Sequence, residues 1–248
     1  MNFKEISYRV RYAASIFEPR ALALAFFECP FCGASALLRF ARSAIAVRCL
    51  RCGSSAATLS LGAVLRAERP GFLNGHVYEM SARGPLHAFL GRQVGRFIFS
   101  EYFDDVAPGQ YRNGVQCQDV QRLTYEDGAF DIVTSTEVFE HVPDDLKGFR
   151  EVRRVLRSGG AFVFTVPLAP SEATIERAVC QNGRLVHLLP PAYHDDRIRG
   201  RNKVLVFRDY GRDIIDRLLA AGFRSARING SHSHSFAGTG SEVVVAEV

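Results

Sequence analysis

Four of the six cysteines stand in two pairs, Cys29-Pro30-Phe31-Cys32-Gly33 and Cys49-Leu50-Arg51-Cys52-Gly53. Two residues between the thiols let one tight turn aim both sulfurs at a single ion, and the following glycine permits the close backbone turn of a knuckle. Two knuckles supply Cys29, Cys32, Cys49 and Cys52 as a full tetrahedral zinc set, with sulfur about 2.3 Å from the metal and no open position. The expected role of the zinc is therefore structural. The sixteen residues between the pairs include 36–40 and 44–48, which predict a short hairpin and hence a zinc ribbon over about residues 27–55. Disulfides fit poorly with a chain that shows no secretion signal. A redox Cys-X-X-Cys would stand once, beside a βαβ pattern. Cys117 and Cys180 are isolated, and apolar burial is expected of them.

A second pattern runs through residues 125–167. Phe130-Asp131-Ile132-Val133 suits a buried parallel strand. Glu137 opens a predicted helical stretch in which Phe149, Val152, Val155 and Leu156 recur at helical spacing. Ser158-Gly159-Gly160 predicts its C-terminal cap, and 161–166 reads as the next strand, ended by Pro167. Chemically distinct residues sit at the joins: the acidic turn Glu126-Asp127-Gly128-Ala129-Phe130-Asp131, then Glu140-His141-Val142, then Glu151-Val152-Arg153-Arg154-Val155-Leu156. In that order the set closely resembles the second half of the catalytic domain of class I S-adenosylmethionine-dependent methyltransferases. The resemblance extends over about residues 74–248 and is strongest over 119–167. It implies an α/β fold, a Rossmann-like sheet of seven strands with helices on both faces, and S-adenosylmethionine as cofactor.

The same resemblance assigns cofactor residues upstream. The first strand is expected at 76–80, with Glu79 at its end and the turn Ser81-Ala82-Arg83-Gly84-Pro85 behind it. The family's glycines at alternate positions are missing here: Ser81, Arg83 and Pro85 stand in their places and Gly84 is displaced by one. Residues 96–101 predict the second strand. Glu101 follows Glu79 by 22 residues, the spacing at which an acid grips ribose hydroxyls in this architecture. Residues 114–120 predict the third strand and its exit. The resemblance gives Asp119 to the adenine amino group with Val120 beside it, and gives Ser135 and Thr136 to the methionine end. Ligands in open α/β sheets bind beyond the carboxyl ends of the strands, where these residues fall.

Methyl transfer needs alignment and, for a hydroxyl or amine, a base with a pKa near the working pH. The family uses the segment after the fifth strand to cap the acceptor. In this chain residues 183–211 are rich in His, Asp and Arg. His194 is the first candidate base, with Asp195 or Asp196 to orient its ring. His141 is the second candidate and His187 the third. His232 and His234 carry only weak metal-binding spacing. Beyond this segment a helix is expected at 214–219, and the last two strands at 223–228 and 242–248, which the resemblance makes an antiparallel pair at the sheet edge.

The chain of 248 residues can bury one full core and carry an appendage. It holds no long uncharged apolar run and no signal-peptide core, so a cytoplasmic protein is expected. Two units are expected: residues 1–60 with the zinc ribbon, and 61–248 as the methyltransferase domain. The whole formal excess of +5 belongs to residues 1–60, which hold eight Lys/Arg and three Asp/Glu. A basic ribbon suits RNA, which makes ribosomal or transfer RNA the rival acceptor. Four zinc-bound thiolates would offset that charge, and no dense Lys/Arg run with interleaved aromatics appears. A small polar acceptor, such as a sugar or sugar-containing metabolite, is therefore favoured over nucleic acid. The substituted Ser81–Pro85 turn supports a third reading, a catalytically silent binding module.

Overall fold

A computed structural model of the chain describes residues 16–194, 203–230 and 241–248. The N-terminal part is a three-stranded antiparallel sheet of β1 (Ala23–Cys29), β2 (Gly33–Arg39) and β3 (Val47–Cys49). It therefore has one strand more than the expected hairpin. Helix α1 (Ala56–Glu68) follows, started by Ser55, whose hydroxyl accepts from the Thr58 N–H at 3.3 Å.

The central sheet is built from β4 (His76–Glu79), β5 (Arg96–Glu101), β6 (Tyr111–Arg112), β7 (Val115–Cys117), β8 (Phe130–Thr136), β9 (Leu156–Thr165), β16 (Ser225–Asn229) and β17 (Val243–Glu247). Its order is β16-β17-β9-β8-β4-β5-β7-β6. Strands β4, β5, β7, β8 and β9 run parallel, and β16 and β17 form the antiparallel pair expected at one edge. The eighth strand, β6, is a two-residue addition that hairpins onto β7 at the other edge. Helices α2 (Gly84–Gln93), α3 (Asp145–Val155) and α4 (Ile214–Ala220) complete the layers. Between β9 and α4 lie short pairs: β10 (Ile175–Glu176) with β15 (Arg208–Asp209), β11 (Ala178–Gln181) with β12 (Arg184–His187), and β13 (Tyr193–His194) with β14 (Val204–Leu205).

Strict alternation makes both sheet faces apolar. Val77, Ile132, Ala161, Val163 and Val245 face one core, whereas Tyr78, Val133, Phe162, Phe164 and Val244 face the other. Helices α3 and α4 cover the second face through Phe149, Val152, Ile214 and Leu218. The first face is covered by α1, α2 and the ribbon together, since Cys29, Phe31, Leu37 and Cys49 belong to the same apolar cluster as Val77 and Val163. Phe31 packs edge-on to Phe89 at 5.3 Å and lies against Gly62 of α1. A Cβ at Gly62 would come within 2.3 Å of the Phe31 ring, so the ring requires glycine in mid-helix despite its cost of about 0.5–1 kcal/mol relative to alanine. The boundary drawn at residue 60 falls inside α1, whose residues pack on the sheet and on the ribbon.

Other local expectations differ in instructive ways. No helix opens at Glu137, which has a left-handed φ of 55° and is followed by a 3-10 turn over Phe139–His141. Helix α3 starts only at Asp145, capped by the Asp144 carboxylate, which accepts from the Lys147 N–H at 3.0 Å. Its end is not the Gly159-Gly160 pair, because extended backbone begins at Leu156. Phe130 pairs Leu156 while Ile132 pairs Ala161, so the glycines sit in an irregularity of β9. Strand β8 runs to Thr136, with Thr134 to Thr136 ending it as expected, whereas β7 stops at Cys117. Cys117 is buried as expected, but Cys180 is exposed on the β11–β12 hairpin. No helix among the described residues is long and apolar enough to cross a membrane.

Candidate active site

The parallel order turns around between β4 and β8, where Glu79 pairs in register with Thr134. A crevice beyond the carboxyl ends of the strands is expected at such a reversal. Glu79 is 2% exposed and accepts a hydrogen bond from the Thr134 hydroxyl. Burial, aided by the neighbouring Glu101 charge, pushes its carboxyl up to about 8. Glu101 ends β5, and its Oε2 accepts from the Ala82 N–H at 3.4 Å. The turn between them is short and polar: the Ser81 hydroxyl accepts from the Arg83 N–H at 3.3 Å, and Gly84 opens α2 with φ 92°. A single glycine thus provides the left-handed residue in a turn where several were expected. Asp119 lies just past β7, and its Oδ1 accepts from the Gln121 N–H at 2.9 Å. Val120 packs on the second core. Ser135 and Thr136 are the last residues of β8, and the Ser135 hydroxyl is buried with no hydrogen-bond partner among the described residues.

Directly past Thr136 the chain builds a second set of groups. His141 Nδ1 donates to the Leu205 carbonyl at 2.8 Å, because a carbonyl can only accept, and this leaves Nε2 as the ring's acceptor. His194 Nδ1 lies 3.2 Å from that nitrogen, with the two rings edge to face. The two leading base candidates therefore meet, although 53 residues separate them. Glu140, 1% exposed, presents Oε1 at 3.6 Å from His141 Nε2 and 3.5 Å from His194 Nδ1. This carboxylate raises the pKa of His194, against the opposing effect of burial. Burial, with Glu140 beside it, pushes Glu137 up to about 8. His187 stands on the exposed β12 instead, and Asp195, Asp196, His232 and His234 lie outside the described residues.

Sequence reasoning missed what fixes this set. Arg208, 3% exposed, donates to the carbonyls of Val142 at 2.6 Å and Pro143 at 2.9 Å and pairs with Glu176 at 3.1 Å. Asp145 accepts from the Tyr210 hydroxyl and from Arg217, both at 2.9 Å. The Phe207 N–H donates to the Glu140 carbonyl at 2.8 Å. The segment carrying Glu140 and His141 is thereby tied to residues 205–217. The adjacency of Glu140 and His141 was the only sequence signal, and it carried nothing about their partners.

The four N-terminal sulfurs lie within 4.8 Å of one another, with Cys29 and Cys52 at 3.7 Å and Cys32 and Cys49 at 3.6 Å. A tetrahedron with arms of about 2.3 Å has edges of about 3.8 Å. The two shorter separations are compatible with such an edge and lie far beyond a disulfide bond of about 2.05 Å. Burial raises Cys29 well above the ordinary thiol range and Cys32 to about 11. At Cys49 burial is outweighed by the Ser35 hydroxyl and by backbone N–H groups, which bring the thiol down to about 7.

Residues 84–164 match the family described as "Methyltransferase domain". The ubiquinone biosynthesis O-methyltransferase of Coxiella burnetii (strain RSA 493 / Nine Mile phase I) is 32% identical over 129 residues, 48% of this chain and 55% of that protein. The sarcosine/dimethylglycine N-methyltransferase of Halorhodospira halochloris is 54% identical over 46 residues, 18% of this chain and 16% of that protein. The chain thus spans about half, or less, of the length of these curated relatives. A solved S-adenosylmethionine dependent methyltransferase from Mesorhizobium loti superposes with a TM-score of 0.49 at 16% identity, over 76% of this chain and 98% of that one. The match to the methyltransferase-domain family thus covers residues 84–164 of the chain, the stretch that holds β5 to β8 and nearly all of β9 of the sheet.

Proposed function

We propose that this chain transfers a methyl group from S-adenosylmethionine to a small polar acceptor, most simply a hydroxyl-bearing molecule such as a sugar or sugar-containing metabolite. The observation that carries this reading is the pairing of two sets of groups along one edge of the sheet. Glu79 and Glu101 end β4 and β5, Asp119 lies just past β7, and His141, just past β8, meets His194 of β13. The first set suits the cofactor. Glu101 would hold the ribose hydroxyls, Asp119 and Val120 the adenine, and Glu79, Ser81, Gly84, Ser135 and Thr136 the methionine end. The second set suits the acceptor. An oxygen lone pair forms the new bond to the methyl carbon as the sulfur–carbon bond breaks, its electron pair staying on sulfur as neutral S-adenosylhomocysteine. The acceptor's proton leaves to His194, which Glu140 favours in its charged form.

In the same reading Cys29, Cys32, Cys49 and Cys52 hold a structural zinc, supported by their tetrahedral spacing. The protein works in the cytoplasm. Calorimetric titration with S-adenosylmethionine tests the proposal. Binding by the wild type and a loss of about 1.5–3 kcal/mol, or roughly ten- to a hundred-fold, in Glu101→Ala are expected, because two hydrogen bonds to a charged acceptor disappear. A wild type that binds none, or a folded variant with an unchanged Kd, would refute it.

A further inference from the structure

We infer that Glu140, His141 and His194 form a second metal site, for a divalent first-row transition ion held by nitrogen and oxygen. The three donor atoms are His141 Nε2, His194 Nδ1 and Glu140 Oε1, and their separations are 3.2, 3.5 and 3.6 Å. The point equidistant from corners so spaced lies about 2.0 Å from each, which is the metal–nitrogen and metal–carboxylate bond length. An ion slightly above that plane keeps bonds of this length and leaves one hemisphere free. The side chain of His194 is 45% exposed, so the cluster is not sealed within the core.

Two independent features point to a cation. Beyond the two imidazole nitrogens at 3.5 and 3.6 Å from Oε1, neither oxygen of Glu140 has a hydrogen-bond partner among the described residues, although the side chain is 1% exposed. A carboxylate buried in that way is strongly penalised unless a cation or donors compensate it. The ring of His141 is also turned as a ligand would be. Its Nδ1–H is spent on the Leu205 carbonyl at 2.8 Å, which fixes the tautomer and aims the Nε2 lone pair at the cluster. Two imidazoles and one carboxylate suit manganese, iron, cobalt or zinc better than magnesium or calcium.

The ion would seat an oxygen donor of the acceptor, a role that rests on the methyltransferase reading, whereas ion binding itself does not. With the ion held, His194 serves as ligand instead of proton acceptor.

The test is a titration of the zinc-loaded full chain with cobalt(II), followed by visible absorption, in the absence of S-adenosylmethionine. One equivalent should bind with d–d bands and without a sulfur-to-metal charge-transfer band. Glu140→Gln and His194→Ala should each weaken binding at least tenfold while circular dichroism and S-adenosylmethionine affinity stay near wild type. The Glu140 variant keeps the side-chain shape, and His194 is half exposed, so at least one should fold. Absent d–d bands, bands that carry sulfur charge transfer, or wild-type affinity in both variants would overturn the site. Lost cobalt binding with intact S-adenosylmethionine binding removes this inference alone. The reverse result removes the methyltransferase reading and leaves the metal site standing.

Discussion

The molecule holds two clusters of ligand-type side chains, and they are built in opposite ways. The four cysteines come from two knuckles of one small sheet and offer four donors, enough for a full coordination shell. Glu140, His141 and His194 come from a 3-10 turn and a strand 53 residues further on, and they fill only part of a shell. Local spacing builds the first cluster, so any chain with those knuckles can form it. The second exists only when the connection after β9 folds back over β8. A closed shell suits support, and an open one suits chemistry.

Removing metal from the cysteine cluster should have the largest effect. Chelation, or Cys49→Ser, should unfold the ribbon and expose the sheet face it covers, since structural zinc contributes on the order of 10 kcal/mol to small zinc folds. Parallel loss of far-ultraviolet dichroism and zinc would support this. A chelated protein with an unchanged melting profile would reduce the ribbon to decoration. The thiols must lose their protons to bind metal, so acidification should release it.

The second cluster should depend on a remote arginine. Arg208→Met removes the donor to the Val142 and Pro143 carbonyls and leaves Glu176 without one of its partners. Breaking such a buried pair costs about 3–5 kcal/mol. If Arg208 acts by positioning Glu140 and His141, the imidazole resonances of His141 and His194 should titrate differently in the variant by NMR. A stability loss with unmoved titration would separate the network from the cluster.

The smallest effect belongs to Glu79 at the end of β4. The folded protein keeps the Glu79 proton until pH about 8, whereas an unfolded carboxyl releases it near 4.5. The stability that this group contributes below pH 4.5 is therefore lost as pH rises towards 8. Glu79→Gln should flatten that decline, with the difference from wild type growing by on the order of 1–3 kcal/mol between pH 5 and 8. Parallel curves for the two proteins in denaturant melts would assign the pH dependence elsewhere.

The same contrast explains what was legible in the sequence. The cysteine knuckles, the strands bearing Glu79 and Glu101 and the antiparallel edge pair all depend on nearby residues or on alternation, and they fell where expected. The Gly159-Gly160 pair looked like a helix cap because its left-handed tolerance is the same whether a helix ends or a strand bulges. Glu137 is not helical because its backbone N–H is held by the Thr165 carbonyl on the neighbouring strand, a partner invisible in one dimension. The meeting of His141 with His194 could not be read, because Arg208, Leu205 and Phe207 enforce it from far along the chain.

The shared core has a consequence for how the protein is made. Helix α1 packs against β17, Arg69 pairs with Glu247 at 2.5 Å, and Glu68 pairs with Arg227. These contacts join positions 159 and 178 residues apart. An N-terminal unit usually folds on the ribosome as soon as it emerges. Here Leu59, Leu65 and Phe31 await β17, a strand synthesised long after them. Closing so long a loop is slow, so the nascent chain carries an apolar face until β17 has emerged.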